Sequence, residues 1–483
     1  MMSLKSRAAK AVSWQLFGSI TDQTINFAFT ILLARLLEPS DFGLMAMAMF
    51  LIALSRVFID VGFSSAIIQN QNNTDLTYSS VFYFNLTLGL AFTLIFYFSA
   101  DMLGRIYGLP QVSEIFKWLS ALFLFNAANS VQQTILKKRL DFKKISVRTN
   151  VAHLFGGIVG VTSAFMGYGV YSLVSQSLAS SVASTIVLWS ASGWRPDFNF
   201  SVKEIKKLSG FSLYVFLDNL TNQLSNKLDV FVIGKWVSPA ALGLLTTARK
   251  VNNTVNVYTV SSYMNVMYPL LSEVRSDQKQ FLRVYSKLIS VTTFLSMLAA
   301  GIIYILSSDV IMLLFGEKWI DSVDMLQVLA LSISFSPINT LSNKVFLSMG
   351  LSKQNFKIGL VKKYLKLLPL VTLINGNILD YLLWLLAVKF CIAALNIITL
   401  KRYIDIPMHI NIGAIIHGLI PLTVWVYCYI TLDISYSHIF VRIGFAISYI
   451  LFFLTFNYLI KNEGYRFLYT NVAALFKRMK GLK

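Results

Sequence analysis

The chain has 483 residues, 56% of them hydrophobic and 13% charged, a mean hydropathy of +0.64 and a formal net charge of +20. That composition is too apolar for a soluble enzyme of this length and fits a chain that crosses a bilayer many times. The basic excess would suit a nucleic-acid binder, but it is confined to short segments between apolar runs, so nucleic acid is not needed to explain it.

A bilayer core of about 30 Å takes about 20 apolar residues of helix. The sequence supplies such runs repeatedly, among them 81 to 100, 291 to 306 and 439 to 460, and none shows the alternation of a barrel strand. Fourteen spans are expected, near 11 to 37, 42 to 68, 79 to 100, 113 to 136, 146 to 166, 170 to 192, 208 to 236, 241 to 271, 286 to 307, 321 to 348, 358 to 375, 380 to 400, 410 to 430 and 438 to 460. The start, MMSLKSRAAK, leads into AVSWQLFGSITDQTINF, which is too polar for a signal peptide and lacks a cleavage site, so it reads as a retained first helix. The eleventh span is the weakest, with Lys362, Lys363 and Lys366 in its first half; these read as lysines snorkelling to the cytoplasmic edge.

One corner is written twice. ARLLEPSDFGL at 34 to 44 returns as GKWVSPAALGL at 234 to 244, repeating Pro39, Gly43 and Leu44 as Pro239, Gly243 and Leu244. Proline at a helix start and glycine four residues on predict a tight outer hairpin. The likeness runs backward, SITDQTINF (19 to 27) matching NLTNQLSNK (219 to 227), and a looser echo pairs DMLGRIYG (101 to 108) with DVIMLLFG (309 to 316) and Asn129 with Asn339. This predicts an all-α polytopic membrane protein of two pseudo-symmetric six-helix lobes around a central cavity: residues 1 to 193, a cytoplasmic linker at 194 to 207, residues 208 to 400, then two added helices and a basic tail over 401 to 483. Even span counts make the duplication parallel, about an axis along the membrane normal.

With the N-terminus inside, the cytoplasmic segments hold 27 Lys and Arg and the outer loops only two, Arg105 and Lys318. The positive-inside rule therefore places both termini in the cytoplasm. Catalytic and metal signatures do not occur. The four histidines are scattered, Cys391 and Cys428 sit in apolar runs, and HExxH, CxxC, GxSxG and phosphate-cradling GK[ST] patterns are missing. GGIVG at 156 to 160 has the Gly-x-x-x-Gly spacing that brings membrane helices close.

Helical spacing supplies the candidate cavity residues. Gln15, Ser19, Asp22 and Asn26 share a face of span 1, and Asn219, Asn222, Asn226 and Asp229 share the equivalent face of span 7. Taken singly, Asn, Gln and Ser serve as interhelical glue. A charge at mid-membrane costs several kcal/mol unless it meets water or a partner, so the ionised residues carry more weight. They include Arg56 and Asp60, four apart on span 2 and placed to pair with each other, Lys227 and Asp229, Arg249 and Lys250, with Asp218 and Lys389 beside them. Lys227, Arg249 and Lys250 flank the second corner and suit an anionic head group.

The stretches ARLLEPSDFGL, VGFSSAIIQ (61 to 69), LKKRLDFKKISV (136 to 147), GYGVYSLV (167 to 174) and YPLLS (268 to 272), in that order, resemble the bacterial polysaccharide-export flippases, the O-antigen, capsule and exopolysaccharide transporters of the superfamily that includes drug exporters. The resemblance implies a polyprenyl-pyrophosphate-linked oligosaccharide as substrate, polysaccharide polymerase machinery as a partner and no enzymatic step; it leaves open whether protons or sodium are coupled, and no other cofactor is expected. A drug-cation antiporter would put acids and aromatics in place of Lys227, Arg249 and Lys250. A membrane glycosyltransferase or polymerase would need a sizeable loop and usually an Asp-x-Asp motif, and this chain has none.

Overall fold

In the computed structural model the described residues are 4–70, 72–261, 263–264, 271–434 and 437–470. Among them there is no strand, and eighteen α-helices follow one another: α1 (Leu4–Leu36), α2 (Pro39–Asp60), α3 (Phe63–Gln69), α4 (Asp75–Tyr107), α5 (Pro110–Leu119), α6 (Ala121–Lys138), α7 (Phe142–Phe165), α8 (Tyr171–Ser192), α9 (Val202–Trp236), α10 (Pro239–Asn256), α11 (Gln278–Ile305), α12 (Ser307–Leu314), α13 (Val323–Ile333), α14 (Ser336–Ser348), α15 (Ser352–Leu367), α16 (Ile378–Ile404), α17 (Met408–Thr431) and α18 (Ile439–Leu459). A π turn (Val257–Ser261) extends α10, and 3-10 turns precede α13 (Glu317–Ser322) and follow α15 (Leu368–Asn375).

Helices α2, α4, α8, α11, α16, α17 and α18 are each long and apolar enough to cross a membrane; α13 with its 3-10 turn and α14 make an eighth, bent by 43°. The protein is thus a multi-pass α-helical membrane protein. The remaining expected spans fall on helices too, but on ones whose polar residues lower their hydropathy. Of the eighth span, residues 262 and 265–270 lie outside the described residues, as does most of the YPLLS stretch; so do residues 471–483 of the basic tail. Two boundaries shift. Span 4 is two helices meeting at Ser120, and the span expected from 146 starts at Phe142, leaving three residues between helices.

The chain forms two compact units, Met1–Thr246 and Thr247–Lys483. In the first, α7 packs against both α1 and α8. Its glycines make that possible: a Cβ at Gly157 would lie 2.3 Å from the Phe29 ring, and one at Gly160 2.8 Å from Gln176 on α8. The GGIVG stretch is therefore a packing surface between helices.

The repeated corner acquires a physical meaning in the same unit. A Cβ at Gly43 would lie 1.8 Å from the Pro239 carbonyl oxygen, and one at Gly243 1.7 Å from the Pro39 carbonyl oxygen. Each copy's glycine is seated on the other copy's proline, the self-complementary contact that two-fold related surfaces make. Only hydrogen fits at either position, and so both copies keep the Pro-x-x-x-Gly spacing. The looser echo holds as well. Gly108 and Gly316 both turn the chain at positive φ, 71° and 96°. Asn129 donates to Thr185 at 2.8 Å, and in the second unit Asn396 donates to Asn339 at 2.5 Å, pairs separated by 56 and 57 residues.

The core of the second unit is organised around α11, 72% of whose apolar window is buried, whereas α18 is only 17% buried and turns Phe440, Leu451 and Leu459 outward as a lipid-facing helix does. Two buried tyrosine hydroxyls there are satisfied: Tyr449 donates to the Met297 carbonyl at 2.8 Å and Tyr285 to Asn411 at 2.5 Å. Gly301 leaves room for the Tyr449 ring, which a Cβ would meet at 2.2 Å.

Candidate functional site

Charge inside apolar helices is the feature that calls for explanation, because each such group must find a partner or water. In the first unit, Asp22 on α1 meets the Nδ1 of His153 on α7. Arg148 stands on the same helix within electrostatic reach of Asp22; its Nη2 donates to Thr149 at 3.1 Å and its buried Nε has no hydrogen-bond partner. Asp22, His153 and Arg148 thus form an ionisable cluster across two helices. The sequence flagged Asp22 only. His153 was one of four scattered histidines, and Arg148, inside the span expected over 146 to 166, was not among the ionised residues chosen; Asp141 caps α7 by accepting from the Lys144 amide at 3.4 Å.

Asp60 closes α2, and Arg56, four residues earlier, does not pair with it. The Asp60 carboxylate accepts instead from Ser64 at 2.5 Å and from Ser130 on α6 at 2.9 Å. Thr134 donates to Ser64 at 2.9 Å and Asn85 to Ser130 at 3.2 Å, completing a hydroxyl network around the acid. The expected Arg56–Asp60 pair gives way because the turn Val61–Gly62, at φ 45° and 79°, reverses the chain and brings Ser64 onto the carboxylate. Arg56 is exposed and makes no ion pair among the described residues.

On α9, Asn222 donates to Asp218 at 3.0 Å, Asn226 and Lys227 are exposed, and Asp229 is buried, one carboxylate oxygen accepting from the Val230 amide at 2.9 Å. Lys227 makes no hydrogen bond or ion pair with a described residue. Asn26 is half-buried on α1, its carbonyl accepting from Thr30 at 2.7 Å. Helix α2 packs against α9 and α1 against α7.

Arg249 and Lys250 are half-buried on α10, in the second unit. That unit also holds Lys389, named from the sequence beside the candidates, and Lys362, read there as an edge lysine. Lys389 on α16 donates to Ser332 at 2.8 Å, with Lys366 and Arg249 within electrostatic reach of it. Lys362 does not snorkel to an edge; it is 9% exposed and donates to Asn343 at 3.2 Å. Asp309 and Arg442 form a bidentate pair at 2.7 and 2.8 Å. Among the described residues no group of His, Cys, Asp and Glu is arranged to hold a metal.

Comparison with known proteins places this chemistry. The chain is 25% identical over 321 residues to the succinoglycan biosynthesis transport protein ExoT of Rhizobium meliloti (strain 1021), an alignment spanning 66% of this chain and 65%, just under two thirds, of that relative. It is 21% identical over 366 residues to the lipopolysaccharide biosynthesis protein WzxC of Escherichia coli (strain K12), covering 75% and 74%. Its fold is that of the lipid II flippase MurJ in an inward closed conformation, with a TM-score of 0.75, 15% identity and coverage of 94% and 98%. An inward-facing multidrug resistance MATE family transporter also superposes, with a TM-score of 0.60, 17% identity and coverage of 83% and 95%. A family model described as "Polysaccharide biosynthesis protein" matches residues 32–324. More than half of its length being matched, the chain belongs to this family of polysaccharide biosynthesis proteins, built here as a multi-pass helical membrane protein.

Proposed function

We propose that the protein is a flippase that carries a polyprenyl-pyrophosphate-linked oligosaccharide from the cytoplasmic to the outer leaflet of the bacterial inner membrane for polysaccharide biosynthesis. The observation that supports this best is the set of buried or half-buried cations of the second unit, Arg249, Lys362 and Lys389, in a chain whose relatives bear transport and polysaccharide names. No bond is broken; the task is to lead an anion and a hydrated glycan past hydrocarbon. Asn222, Asn226, Asn26 and the acids Asp22, Asp60 and Asp229 supply the polar path for sugar hydroxyls, and Arg56, Lys227, Arg249 and Lys250 the counter-charge. Six-helix lobes over 1 to 193 and 208 to 400 alternate access to either side, with both termini cytoplasmic. Outward movement of an anion is favoured by about 2.3 kcal/mol per charge per 100 mV in a cell negative inside.

Replacing Arg249 with Gln is expected to leave the protein at normal abundance in the membrane, abolish surface glycan and cause lipid-linked precursor to accumulate inside; Arg249→Lys retains part of the export, since charge survives without the planar fork. Normal export by Arg249→Gln would remove Arg249 from the path. Orientation is tested by cysteine labelling from outside after Cys391 and Cys428 are replaced: Ser40 and Ala240 react and Lys143 does not. The reverse pattern would overturn the direction of transport.

A further inference from the structure

Beyond α18 the chain turns at Lys461, at φ 57°, and resumes as helix over residues 463–470. This return is fastened to α11. The Ser290 hydroxyl donates to the Asn462 side-chain oxygen at 2.9 Å and accepts from the Gly464 amide at 2.9 Å, and Ser286 donates to Glu463 at 2.9 Å. A Cβ at Gly464 would lie 2.5 Å from the Ser290 carbonyl oxygen, so a glycine is what lets the two segments touch backbone to backbone. The Lys287 ammonium stands 4.1 Å from the centre of the Phe467 ring.

The junction encloses a cavity of about 300 Å³ lined by Arg283, Lys287, Glu463, Arg466, Phe467 and Thr470. Among the described residues, the side chains of Arg283, Lys287 and Arg466 make no hydrogen bond or ion pair, and the one carboxylate present, Glu463, already accepts from Ser286. Residues 471–483 carry Lys477, Arg478, Lys480 and Lys483 and no acidic side chain. Scattered surface cations are balanced by water and salt. Here three converge on one cavity, because the segments that carry them are joined at Ser290.

Arg466 and Thr470 also line a second cavity of about 410 Å³, whose other walls include Tyr458, Leu459, Tyr465 and Tyr469. Tyr465 stacks on Tyr469 with ring centres 6.1 Å apart and meets Tyr458 edge-on at 6.1 Å. Tyr458 and Leu459 end the lipid-facing helix α18 and are 64% and 73% exposed, the setting in which tyrosine marks a bilayer boundary. Depth along α11 agrees. Ser290 is level with Asn462, and Lys287 and Arg283 precede it by three and seven residues, about 5 and 10 Å further out at 1.5 Å per residue. That puts them in and just beyond a head-group layer about 5 to 7 Å thick.

We propose that the two adjoining cavities bind one anionic glycerophospholipid of the bilayer, its phosphate among Arg283, Lys287 and Arg466 and its glycerol and upper acyl chains against the tyrosines. The guanidinium forks give phosphate charged hydrogen bonds in a fixed geometry. Basic pockets at the ends of membrane helices are suited to such head groups. The ligand is resident lipid and not the transported glycan, so the site stands independently of the flippase reading.

The test uses the full chain, purified in neutral detergent, with native mass spectrometry reading retained lipid as phosphatidylglycerol or phosphatidylcholine is titrated in. The wild-type chain is expected to retain one phosphatidylglycerol in preference to phosphatidylcholine. Arg283→Gln with Arg466→Gln weakens that binding about 10- to 100-fold, the range for lost charged hydrogen bonds. Lys279→Gln with Lys353→Gln, which removes as much charge from exposed positions lining neither cavity, leaves it unchanged. Tyr469→Ala weakens phosphatidylglycerol but not soluble glycerol phosphate, which competes poorly. Equal retention of both lipids, or wild-type affinity in the double Gln variant, overturns the site. Competition by glycerol phosphate as strong as by the whole lipid assigns a soluble ligand and overturns the lipid reading. Displacement by polyprenyl pyrophosphate at a lower concentration than phosphatidylglycerol gives the site to the transported lipid and overturns it too. Both arginines are exposed and bond to no described residue, so the double variant should keep the wild-type unfolding temperature in lipid-free detergent; should it fall, Arg466→Gln alone decides by the same measure.

Discussion

The two compact units handle ionised groups in opposite ways. In the first, the acids are surrounded by donors: Asp60 by Ser64 and Ser130, Asp22 by His153, Asp218 by Asn222. In the second, Lys362 and Lys389 lean on neutral acceptors, while Arg442 is paired with Asp309 and Lys401 with Asp405. In the first arrangement each acid already has a donor beside it and keeps lone pairs for further hydroxyls, both donors to Asp60 lying on one of its two oxygens. The second is open, since an ammonium on an amide or hydroxyl oxygen still favours an anion.

Three substitutions break or sharpen that contrast. The largest effect is expected at the exception. Arg442→Met leaves Asp309, whose side chain is 15% exposed, without its bidentate partner, and should destabilise the protein by about 3 kcal/mol, seen as a lower unfolding temperature in detergent. Adding Asp309→Leu should recover most of that loss; if it does not, the pair holds more than its own charge. Next is Asp60→Asn in the first unit. The amide keeps one acceptor but loses the charge behind two hydroxyl bonds, an expected cost of about 1–2 kcal/mol by the same measurement. No loss there would mean that Ser64 and Ser130 satisfy each other without the acid. Smallest, and opposite in sign, is Lys362→Met. Exchanging a buried ammonium for an apolar side chain of similar length should leave stability unchanged or raise it by up to about 1 kcal/mol. A loss larger than that would show that Lys362 is a structural clamp on Asn343, and the two units would no longer differ.

Much of the architecture could be read from residue order. Apolar runs are additive along the chain, so the helices and the membrane class follow from windows of about 20 residues. The duplication was legible because proline and glycine at fixed spacing have few uses. What could not be read was which partner each charge would take. Arg56 and Asp60 stand at the spacing of a helical pair, yet a positive-φ turn after Asp60 delivers Ser64 instead. Lys362, in a run of three lysines, looks like an edge residue from its neighbours; whether it snorkels or is buried depends on how α15 is rotated against α14, which places it on Asn343. Arg148, near the start of the span expected over 146 to 166, was missed for a similar reason: only the packing of α7 on α1 brings it within reach of Asp22.

By itself, then, the sequence determined the helical membrane class, the helix sites along the chain and the internal repeat, because hydropathy and turn chemistry are local and accumulate over consecutive residues. Tertiary structure alone decided that the two corners interlock glycine to proline, that Asp22 meets a histidine 131 residues away, and that Lys389 rests on Ser332 while Arg442 grips Asp309. These outcomes depend on the rotation and depth of whole helices. A polar side chain in hydrocarbon takes whichever partner packing brings within about 3 Å, and that distance is set by the fold and not by spacing along the chain.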